Sequence, residues 1–249
     1  MAKIASIVTP GLRVCDVGCD HALIDIALVS EGKCPHALAM DINEGPLKGA
    51  GSNVSGEGLS SKITLRLSDG LDRYIKGEAD SLIISGMGGP LMQDILGRYL
   101  DTICDKNGQK LFDNTCDFKE MILSPQSEIE EFRDFLSSAG LRIDDESMVF
   151  DEGKYYTIIK AVPDRSIHHL TEAERMFGPV LTTRPDPVFT DYLRFRLKAD
   201  EAVLCKLKSE KHTDAIEDRI FDISARCDII SGLLDRGGSI FGSLDGDHK

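Results

Sequence analysis

Short apolar runs alternate with segments of helical periodicity over the first two thirds of the chain. Five of these runs have the length and composition of buried strands, at residues 12–17, 36–42, 62–67, 80–85 and 119–124. Segments with a helical pattern separate or follow them, at about residues 22–30, 45–55, 88–100 and 127–139. Such an alternation predicts an α/β fold built on a parallel sheet.

A hairpin is predicted after the fifth strand. Met148–Phe150 and Tyr155–Val162 are apolar, and the turn sequence Asp151-Glu152-Gly153-Lys154 separates them. The last strand would therefore enter the sheet antiparallel to its neighbours. Five parallel strands followed by a hairpin resemble the methyltransferase variant of the doubly wound sheet more than the dinucleotide-binding variant.

The pattern changes after Pro163. Residues 164–190 mix prolines with polar residues, which predicts an irregular connection with one short helix at about 171–177. Two long helical segments follow, joined by a turn at 209–213. In the second helix, apolar residues recur at alternating spacings of four and three, as in a coiled-coil seam. They are Ile216, Ile220, Ile223, Cys227, Ile230 and Leu234.

The first long helix carries a similar apolar stripe, which Asp200 interrupts where a core residue is expected. We predict two domains, a sheet domain over residues 1–163 and an antiparallel helical hairpin over residues 164–249. The hairpin is expected either to dimerise or to pack within its own chain. The tail from Gly237 to Lys249 is expected to fray.

Composition describes a soluble globular protein, with 41% hydrophobic and 29% charged residues. No apolar run approaches the ~18 residues of a membrane span, and no signal-peptide pattern is present. Seven cysteines occur without a Cys-x-x-Cys pair, which indicates reduced thiols and no cysteine-based zinc site. We therefore expect a cytoplasmic protein without a membrane partner.

Charge points away from nucleic acid. The formal net charge is −13, and phosphate backbones are bound by lysine and arginine. Most of the excess acid lies in the first 165 residues, because residues 166–249 hold 12 basic and 15 acidic residues. A polyanionic partner would need local basic patches on a repelling background.

The turn after the first strand is the most informative segment for chemistry. The residues from Val14 to Ala22 read VCDVGCDHA, with Asp16, Gly18, Cys19, Asp20 and His21 at the carboxyl end of a central strand. Ligands bind at this position in doubly wound sheets. Asp20 would repel a pyrophosphate but is compatible with a sulfonium, which favours S-adenosylmethionine over NAD. The alternative role for Asp20 is that of N-cap for the following helix.

Acidic residues also follow the next two strands. Asp41, with Ile42 beside it, ends the second strand, and a carboxylate there can accept hydrogen bonds from both ribose hydroxyls. Ser68, Asp69 and Gly70 follow the third strand, and Asp69 can accept from an adenine amino group. Asp-Gly is also a generic turn. Acidic groups at three successive strand ends predict a nucleoside cofactor more strongly than any one of them.

A glycine-rich segment follows the fourth strand and reads Ser85-Gly86-Met87-Gly88-Gly89. These glycines indicate either close approach of a ligand to the backbone or a tight strand-to-helix connection. Enzymes that methylate exocyclic amines usually carry Asn/Asp-Pro-Pro-Tyr/Phe at this place. That motif is absent here, so a ring nitrogen is the favoured target.

Together these motifs resemble the bacterial tRNA (adenine-22-N1)-methyltransferase family, TrmK. The segments that carry the resemblance occur in order: Asp16 to Ala22, Asp41 with Gly45-Pro46, Asp69-Gly70-Leu71, Ile84 to Gly89, and Gly153 to Tyr156. The resemblance covers residues 1–163 and extends to the helical C-terminal part by architecture. It implies a Rossmann-like class I methyltransferase fold.

The resemblance also implies methyl transfer from S-adenosylmethionine to N1 of adenine 22 in the D-arm region of tRNA. Asp20, Gly86 and Met87 would be the catalytic residues, with Asp20 stabilising the cationic product. Cofactor contacts would come from residues 16, 18–21, 41, 42, 68–70, 85 and 86. Substrate contacts would come from Gly88, Pro125, Gln126, Tyr155, Arg194 and Lys198.

Further basic residues of the helical hairpin are candidates for phosphate contacts, namely Arg196, Lys206, Lys208 and Lys211, although a solvated helix face explains them equally well. His21 is either a proton acceptor or a residue packed against the turn. We expect no metal requirement and a monomer or weak homodimer. The alternatives for the whole protein are a methyltransferase acting on a small molecule, a NAD-dependent oxidoreductase and an RNA-binding module without turnover.

Overall fold

The computed structural model describes residues 1–101, 116–164, 168–209 and 213–241, and within them seven strands form one sheet. The strands are β1 (Val14–Val17), β2 (Ala37–Asp41), β3 (Ile63–Leu67), β4 (Ser81–Ser85), β5 (Glu120–Ser124), β6 (Leu141–Asp151) and β7 (Lys154–Pro163). Their order across the sheet is β3-β2-β1-β4-β5-β7-β6. β7 is antiparallel to β5 and to β6, as predicted, and the other neighbouring pairs are parallel.

The helices of the sheet domain lie close to the predicted segments. Those that match are α2 (Leu23–Ser30), α3 (Glu44–Gly56), α4 (Gly89–Asp101) and α5 (Ile129–Ser138), whereas α1 (Ala2–Ile7) was not predicted. Buried side chains from both sheet faces form two apolar cores, one with α4 and α5 and the other with α1, α2 and α3. The class I methyltransferase fold predicted from the sequence is confirmed.

One predicted strand is much longer than expected. The apolar pattern predicts only Met148–Phe150, whereas β6 runs over eleven residues, Leu141–Asp151. The extra residues include Asp144, Asp145 and Glu146, which hide the strand from a hydropathy pattern. Glu146 is nevertheless buried, because it forms an ion pair with the equally buried Arg133. A register shift between Ile143 and Asp145 bends the strand at this acidic stretch.

The interpretation of Asp20 as a helix N-cap is wrong. A single 3-10 turn spans Asp20–Ala22, and α2 begins at Leu23 with Ala22 as its N-cap and no side-chain cap hydrogen bond. The helix start is therefore determined by the conformation of the turn and not by a capping carboxylate.

The C-terminal part is helical, as predicted. A short helix, α6 (Glu172–Phe177), starts from the capping box of Thr171 and Glu174. The long helices α7 (Pro187–Lys208) and α8 (Asp214–Phe241) pack against each other. Their apolar side chains form a third buried cluster that includes Phe189 and Ile230 together with Met148 of β6. The hairpin therefore packs on the edge of its own sheet.

Two further predictions concern the ends of these helices. The turn expected at 209–213 fits the bounds of α7 and α8, although residues 210–212, including Lys211, lie outside the described residues. The tail predicted to fray from Gly237 is helical as far as Phe241, because α8 continues to that residue. Residues 242–249 lie outside the described part of the chain.

No helix among the described residues is long and apolar enough to cross a membrane. The six cysteines within the described ranges are free thiols; Cys104 lies outside those ranges. The boundary predicted at residues 163 and 164 coincides with the end of β7 and stays a prediction.

Candidate active site

The order of the strands places a site at the carboxyl ends of β1 and β4. The sheet grows from β1 toward β2 and β3 on one side and toward β4 and β5 on the other. The helices that follow β1 and β4 therefore leave in opposite directions, which opens a crevice above these two strands. The turns that the sequence singles out, after Val17 and after Ser85, both begin at this crevice.

The turn after β1 is tied to the neighbouring strand. The backbone N–H groups of Gly18 and Cys19 both donate to the carbonyl oxygen of Met40, at 2.8 and 3.1 Å. These two amides are used within the chain, and the cofactor contacts expected of Gly18 and Cys19 stay predictions. The side chain of Cys19 is buried as well. Burial raises the pKa of its thiol.

Three consecutive residues of this turn have positive φ angles: Asp20 (27°), His21 (69°) and Ala22 (57°). Such angles cost non-glycine residues of order 1–3 kcal/mol each and persist only where the surrounding structure holds them. The packing of His21 supplies part of this restraint. Its carbonyl accepts from Asn53 Nδ2 at 3.1 Å, and its ring leaves no room for a Cβ on Gly49 of α3.

His21 is therefore packed against α3, in agreement with the structural alternative, and its ring contacts Gly49 through the Nδ1 side. Its Nε2 lies 3.6 Å from Asp20 Oδ1. The Asp20 side chain itself is 80% exposed. The strained turn thus presents a carboxylate to solvent at the crevice.

Gly18 brings the turns after β1 and β4 together. It has φ +76°, and a Cβ at this position would collide with Cε of Met87. A side chain on residue 18 would push Met87 away, since L residues are also strained at this φ. The absence of a Cβ therefore allows the methionine to lie over the first turn.

A pair of buried carboxyl groups lies beneath the same turn. Asp16 of β1 is 1% exposed and Asp25 of α2 is 0% exposed. Asp16 Oδ1 and both oxygens of Asp25 receive no hydrogen bond from the described part of the chain. Burial, and then the neighbouring carboxylate, raise the pKa of Asp16 well above its usual range; burial likewise raises the pKa of Asp25. One proton shared between the two carboxyls satisfies both observations.

The second and third strands end in the predicted polar residues. Asp41 is buried, and its Oδ1 accepts from the backbone N–H of Asn43 at 2.8 Å. The adjacent Ile42 is 58% exposed, which leaves an apolar side chain at the crevice. Ser68 donates to the carbonyl of Gly70 at 2.9 Å and so shapes the turn after β3.

Asp69 has a partner that the sequence did not indicate. Arg98 of α4 lies 3.1 Å from Asp69 Oδ1 and also binds Asp72 and Asp94, at 2.9 and 3.2 Å. Asp69 is therefore oriented by an arginine, and any contact with an adenine amino group would be made by a carboxylate already held in place.

The glycines after β4 serve two different purposes. A Cβ on Gly88 would lie 2.8 Å from Ser127 Oγ, and one on Gly89 would lie 2.6 Å from the Ser127 carbonyl oxygen. These two glycines allow the loop after β5 to pack closely, which is the structural alternative. Gly86 differs, because it is exposed and has φ +78°. A Cβ at this position would lie 4.0 Å from Gln126 Nε2, in ordinary contact. Gly86 therefore leaves backbone open to a ligand.

A cavity of about 610 Å³ opens beside this exposed backbone. Its walls come from the carboxyl ends of β4 and β5, from the β6–β7 hairpin and from the chain's first residues. They are residues 1–4, Ser85, Gly86, Ser124, Gln126, Val149, Asp151, Tyr156 and Ile158. Of the predicted substrate residues, Gln126 lines the cavity. Pro125 is buried and Gly88 packs against Ser127, so neither forms a wall.

Tyr155 does not line the cavity either, and its neighbour Tyr156 does. Adjacent residues of a strand point to opposite sheet faces. The ring of Tyr155 instead contacts Phe150, Tyr192 and Phe195, on the side of the C-terminal helices. Arg194 and Lys198 are exposed on α7, which packs on the same face of the β6–β7 hairpin as Tyr155.

The sequence missed Asp25, Arg98 and Tyr156 as members of the site. Asp25 looks like an ordinary polar position in a helix, and Arg98 lies far from Asp69 in the chain. The alternation along β7 could have shown that only one of the paired tyrosines faces the crevice.

The side chains at this edge of the sheet fit S-adenosylmethionine. The acidic groups at the strand ends attract a cation. Asp41 is placed at a strand end for ribose hydroxyls, and Ile42 offers an apolar contact. No group of three or more metal-ligating side chains was found within the described ranges.

Comparisons with known proteins agree with this fold. A sequence model of the methyltransferase domain family matches residues 1–159. A Bacillus subtilis tRNA (adenine(22)-N(1))-methyltransferase is 26% identical over 95% of this chain and 96% of its own length. The crystal structure of the B. subtilis m1A22 tRNA methyltransferase TrmK has a TM-score of 0.77 and 26% identity, covering 94% of this chain and 96% of that one.

A Streptococcus pneumoniae protein, a candidate tRNA (m1A22) methyltransferase, has been solved in complex with S-adenosyl-L-methionine. It is 28% identical, with a TM-score of 0.77, and the match covers 94% of this chain and 97% of that one. The resemblance stated from sequence motifs is confirmed by these relatives.

Proposed function

Because the chain belongs to the methyltransferase domain family, we propose that it transfers a methyl group from S-adenosylmethionine to N1 of adenine 22 in tRNA. The observation that carries this proposal is the match to the B. subtilis tRNA (adenine(22)-N(1))-methyltransferase over 95% of the chain. That match includes both the sheet and the C-terminal helices, so it concerns more than the cofactor-binding part.

The acidic edge of the sheet binds the cofactor in this proposal. S-adenosylmethionine, when bound, supplies an electrophilic methyl group on a sulfonium sulfur. Asp41 accepts from the ribose hydroxyls, Asp69 accepts from the adenine amino group, and the buried pair of Asp16 and Asp25 adds negative charge beneath the turn. Gly18 and Met87 shape the floor between the two turns. The negative potential of these carboxylates favours a cationic ligand and disfavours a pyrophosphate.

The cavity beside Gly86 receives the target base. Adenine N1 faces inward in a paired or stacked nucleotide, so the base must be flipped out to reach a protein cavity. Tyr156 and Gln126 line this cavity and are positioned to hold the base, and the exposed backbone at Ser85 and Gly86 can accept from its amino group. These contacts hold N1 near the methyl carbon, which is the main catalytic requirement.

The chemical step needs no base. The in-plane lone pair of N1 forms the new bond to the methyl carbon while the carbon–sulfur bond breaks with its electron pair on sulfur. The adenine becomes cationic, and the exposed carboxylate of Asp20 stabilises that charge.

The test is incorporation of labelled methyl groups into bulk tRNA, followed by primer extension. N1-methyladenine blocks Watson–Crick pairing, so reverse transcriptase should stop at a single D-arm position. The acidic net charge of −13 favours the alternative of a small-molecule substrate. Label that appears only in small metabolites would establish that alternative and exclude the proposal.

Asp20→Ala should reduce turnover by about 100-fold, as the loss of one preorganised electrostatic contact does, with little change in S-adenosylmethionine affinity. Single-turnover rates and calorimetry measure the two quantities separately. Glu31→Ala, which removes an exposed carboxylate after the last turn of α2, is the matched control and should change neither. Equal losses of rate and affinity would make Asp20 a cofactor-binding residue only.

We also propose a cytoplasmic location, tRNA as the macromolecular partner, no metal requirement and a monomer or weak homodimer. The tRNA backbone would contact exposed cations of α7, among them Arg194 and Lys198.

A further inference from the structure

Four aromatic rings meet where the β6–β7 hairpin contacts α7. The Phe150 and Tyr155 rings lie 4.7 Å apart, and Tyr155 lies 5.2 Å from Tyr192 and 5.8 Å from Phe195. We call these four residues the aromatic cluster. Phe150 is 54% exposed and Phe195 is 59% exposed, while the two tyrosines between them are half-buried. The cluster thus has an apolar base and two phenyl rings open to solvent.

The aromatic cluster lies on the back of the candidate substrate cavity. Asp151 and Tyr156 line the cavity, whereas their strand neighbours Phe150 and Tyr155 belong to the cluster. Because side chains alternate along a strand, the same two strand segments face the cavity on one side and the cluster on the other. β6 is the edge strand, so among the described residues no further strand lies beside this part of the hairpin. The cluster and the cavity therefore lie on opposite faces of the same edge of the sheet.

The charges around the open rings suit a nucleic acid. Arg194 precedes Phe195 on α7, and Lys198 follows one turn later; both are exposed. Lys154, directly before Tyr155, is also exposed, but the alternation along β7 places its side chain on the cavity face together with Tyr156. Asp191 offsets part of this charge through its ion pair with Arg194 at 3.1 Å. Aromatic rings beside cations are the usual platform for unpaired bases.

We propose that the aromatic cluster is a docking surface for the substrate RNA, on which one or two bases next to the flipped adenine stack on Phe150 and Phe195. This inference rests on the proposed function. It adds a second contact surface outside the cavity and assigns Tyr155 the task of holding the two open rings in place.

The size of the surface favours RNA over a second copy of the chain. A stable protein interface buries about 800 Å² on each partner. Two half-exposed phenyl rings supply a small fraction of that area, since a whole aromatic side chain buries about 150–250 Å². The same two rings match the faces of one or two nucleobases.

The experiment compares Phe150→Ser, Phe195→Ser and the double variant with the wild-type protein. Each single variant should raise the Kd and KM for a tRNA transcript by about 5- to 100-fold, the range that stacking of one base represents. The rate at saturating tRNA and the calorimetric S-adenosylmethionine affinity should stay within about twofold. Phe221→Ser is the matched control, because Phe221 is 75% exposed on α8 and lies outside the cluster.

Two further substitutions separate stacking from simple apolar contact. Phe195→Tyr should retain wild-type tRNA affinity, whereas Phe195→Leu should lose most of it. Circular dichroism melts show whether each variant remains folded.

Wild-type tRNA affinity in the folded double variant, with the wild-type protein active on tRNA, would overturn the docking surface and leave the proposed function standing. Loss of self-association in sedimentation experiments with tRNA affinity unchanged would overturn it in favour of a protein interface. A wild-type protein that neither binds nor methylates tRNA would defeat the proposed function itself, and the docking surface with it.

Discussion

At the scale of single residues, the buried carboxyl pair of Asp16 and Asp25 has the clearest energetic consequence. Burial raises the pKa of Asp25 to about 7, whereas an aspartate in the unfolded chain titrates near 4. The folded state therefore holds a proton that the unfolded state releases between these two pH values. By linkage, the free energy of unfolding falls as the pH rises through this window.

Asp25→Asn should remove most of this dependence. The amide can donate to the Asp16 carboxylate, so the pair no longer needs a shared proton. We expect the variant to be more stable than the wild type by about 1–3 kcal/mol at pH 8, with a smaller difference at pH 5. Urea unfolding followed by circular dichroism at both pH values measures the effect; the chain has no tryptophan to serve as a probe.

The control for this prediction is Asp228→Asn, which changes an exposed aspartate of α8 and should alter the stability equally at both pH values. A stability gain for Asp25→Asn that is the same at pH 5 and pH 8 would contradict the shared proton.

At the scale of elements, the helical hairpin contains a polar contact where its apolar pattern breaks. Asp200 of α7 is 5% exposed and binds Arg226 of α8 through two hydrogen bonds, of 2.7 and 2.8 Å. Arg196 lies 3.7 Å from the same carboxylate. The Arg226 side chain is 25% exposed, so the two partners differ in their access to water.

This difference predicts unequal costs for the two single substitutions. Arg226→Met leaves a buried carboxylate with only Arg196 nearby and should lower the free energy of unfolding by about 1–3 kcal/mol. Asp200→Leu restores the apolar stripe and frees an arginine that can reach solvent, so it should remain within about 1 kcal/mol of the wild type. Urea unfolding measures both.

Asp191→Asn, at an exposed pair on the same helix, is the control and should change the stability by less than about 0.5 kcal/mol. An Asp200→Leu variant as unstable as Arg226→Met would show that the ion pair itself stabilises the hairpin.

At the scale of the whole molecule, one buried ion pair connects the sheet to the C-terminal part. Arg133 of α5 lies 3.0 Å from Glu146 of β6, with side chains 2% and 0% exposed. Arg133 also donates to the carbonyls of Arg175 and Met176, and Glu146 accepts from the backbone of Val180. The pair thereby joins α5, β6 and the segment that leads into the helical hairpin.

Glu146→Gln should be among the most destabilising single changes in the protein. The shape is kept, but Arg133 loses its counterion in a site without water access, which costs about 3–5 kcal/mol. Urea unfolding gives the value. Replacing Arg133 and Glu146 together by methionine should recover most of this loss. Asp144→Asn, in an exposed pair with Arg142, is the control for a surface charge. A Glu146→Gln variant as stable as that control would show that the ion pair of Arg133 and Glu146 does not stabilise the connection between the sheet and the C-terminal part.

The chemistry of the cofactor edge could be predicted because it depends on positions at strand ends. Asp16, Asp41 and Asp69 each lie at or just after a short apolar run, and parallel strands bring their carboxyl ends to one edge of the sheet. The coiled-coil spacing likewise identified the contact face of α8, where Ile223 and Ile230 are buried. Both predictions depend on positions within one short segment, either the end of a strand or the spacing along a helix, which the tertiary fold does not alter.

Other residues could not be assigned in this way because their surroundings come from distant segments. Glu146 has the sequence character of a surface residue, and its burial depends on the ion pair with Arg133. For this reason most of β6 was not predicted. Tyr155 and Tyr156 are adjacent in the chain, and only the ring contacts of Tyr155 with Tyr192 and Phe195 show which ring faces the helices. Asp16, the partner of Asp25, and Arg98, the partner of Asp69, also come from segments that are separate in the chain.

The amino-acid sequence alone thus determined the order and type of the strands and of the helices after α1, the acidic edge and the class of cofactor, because hydrophobic periodicity and strand-end residues act locally. The tertiary structure alone decided which tyrosine lines the cavity, which carboxylates are buried together and how the helical hairpin meets the sheet. Burial and pairing of polar groups depend on contacts between segments far apart in the chain, and no local pattern records them.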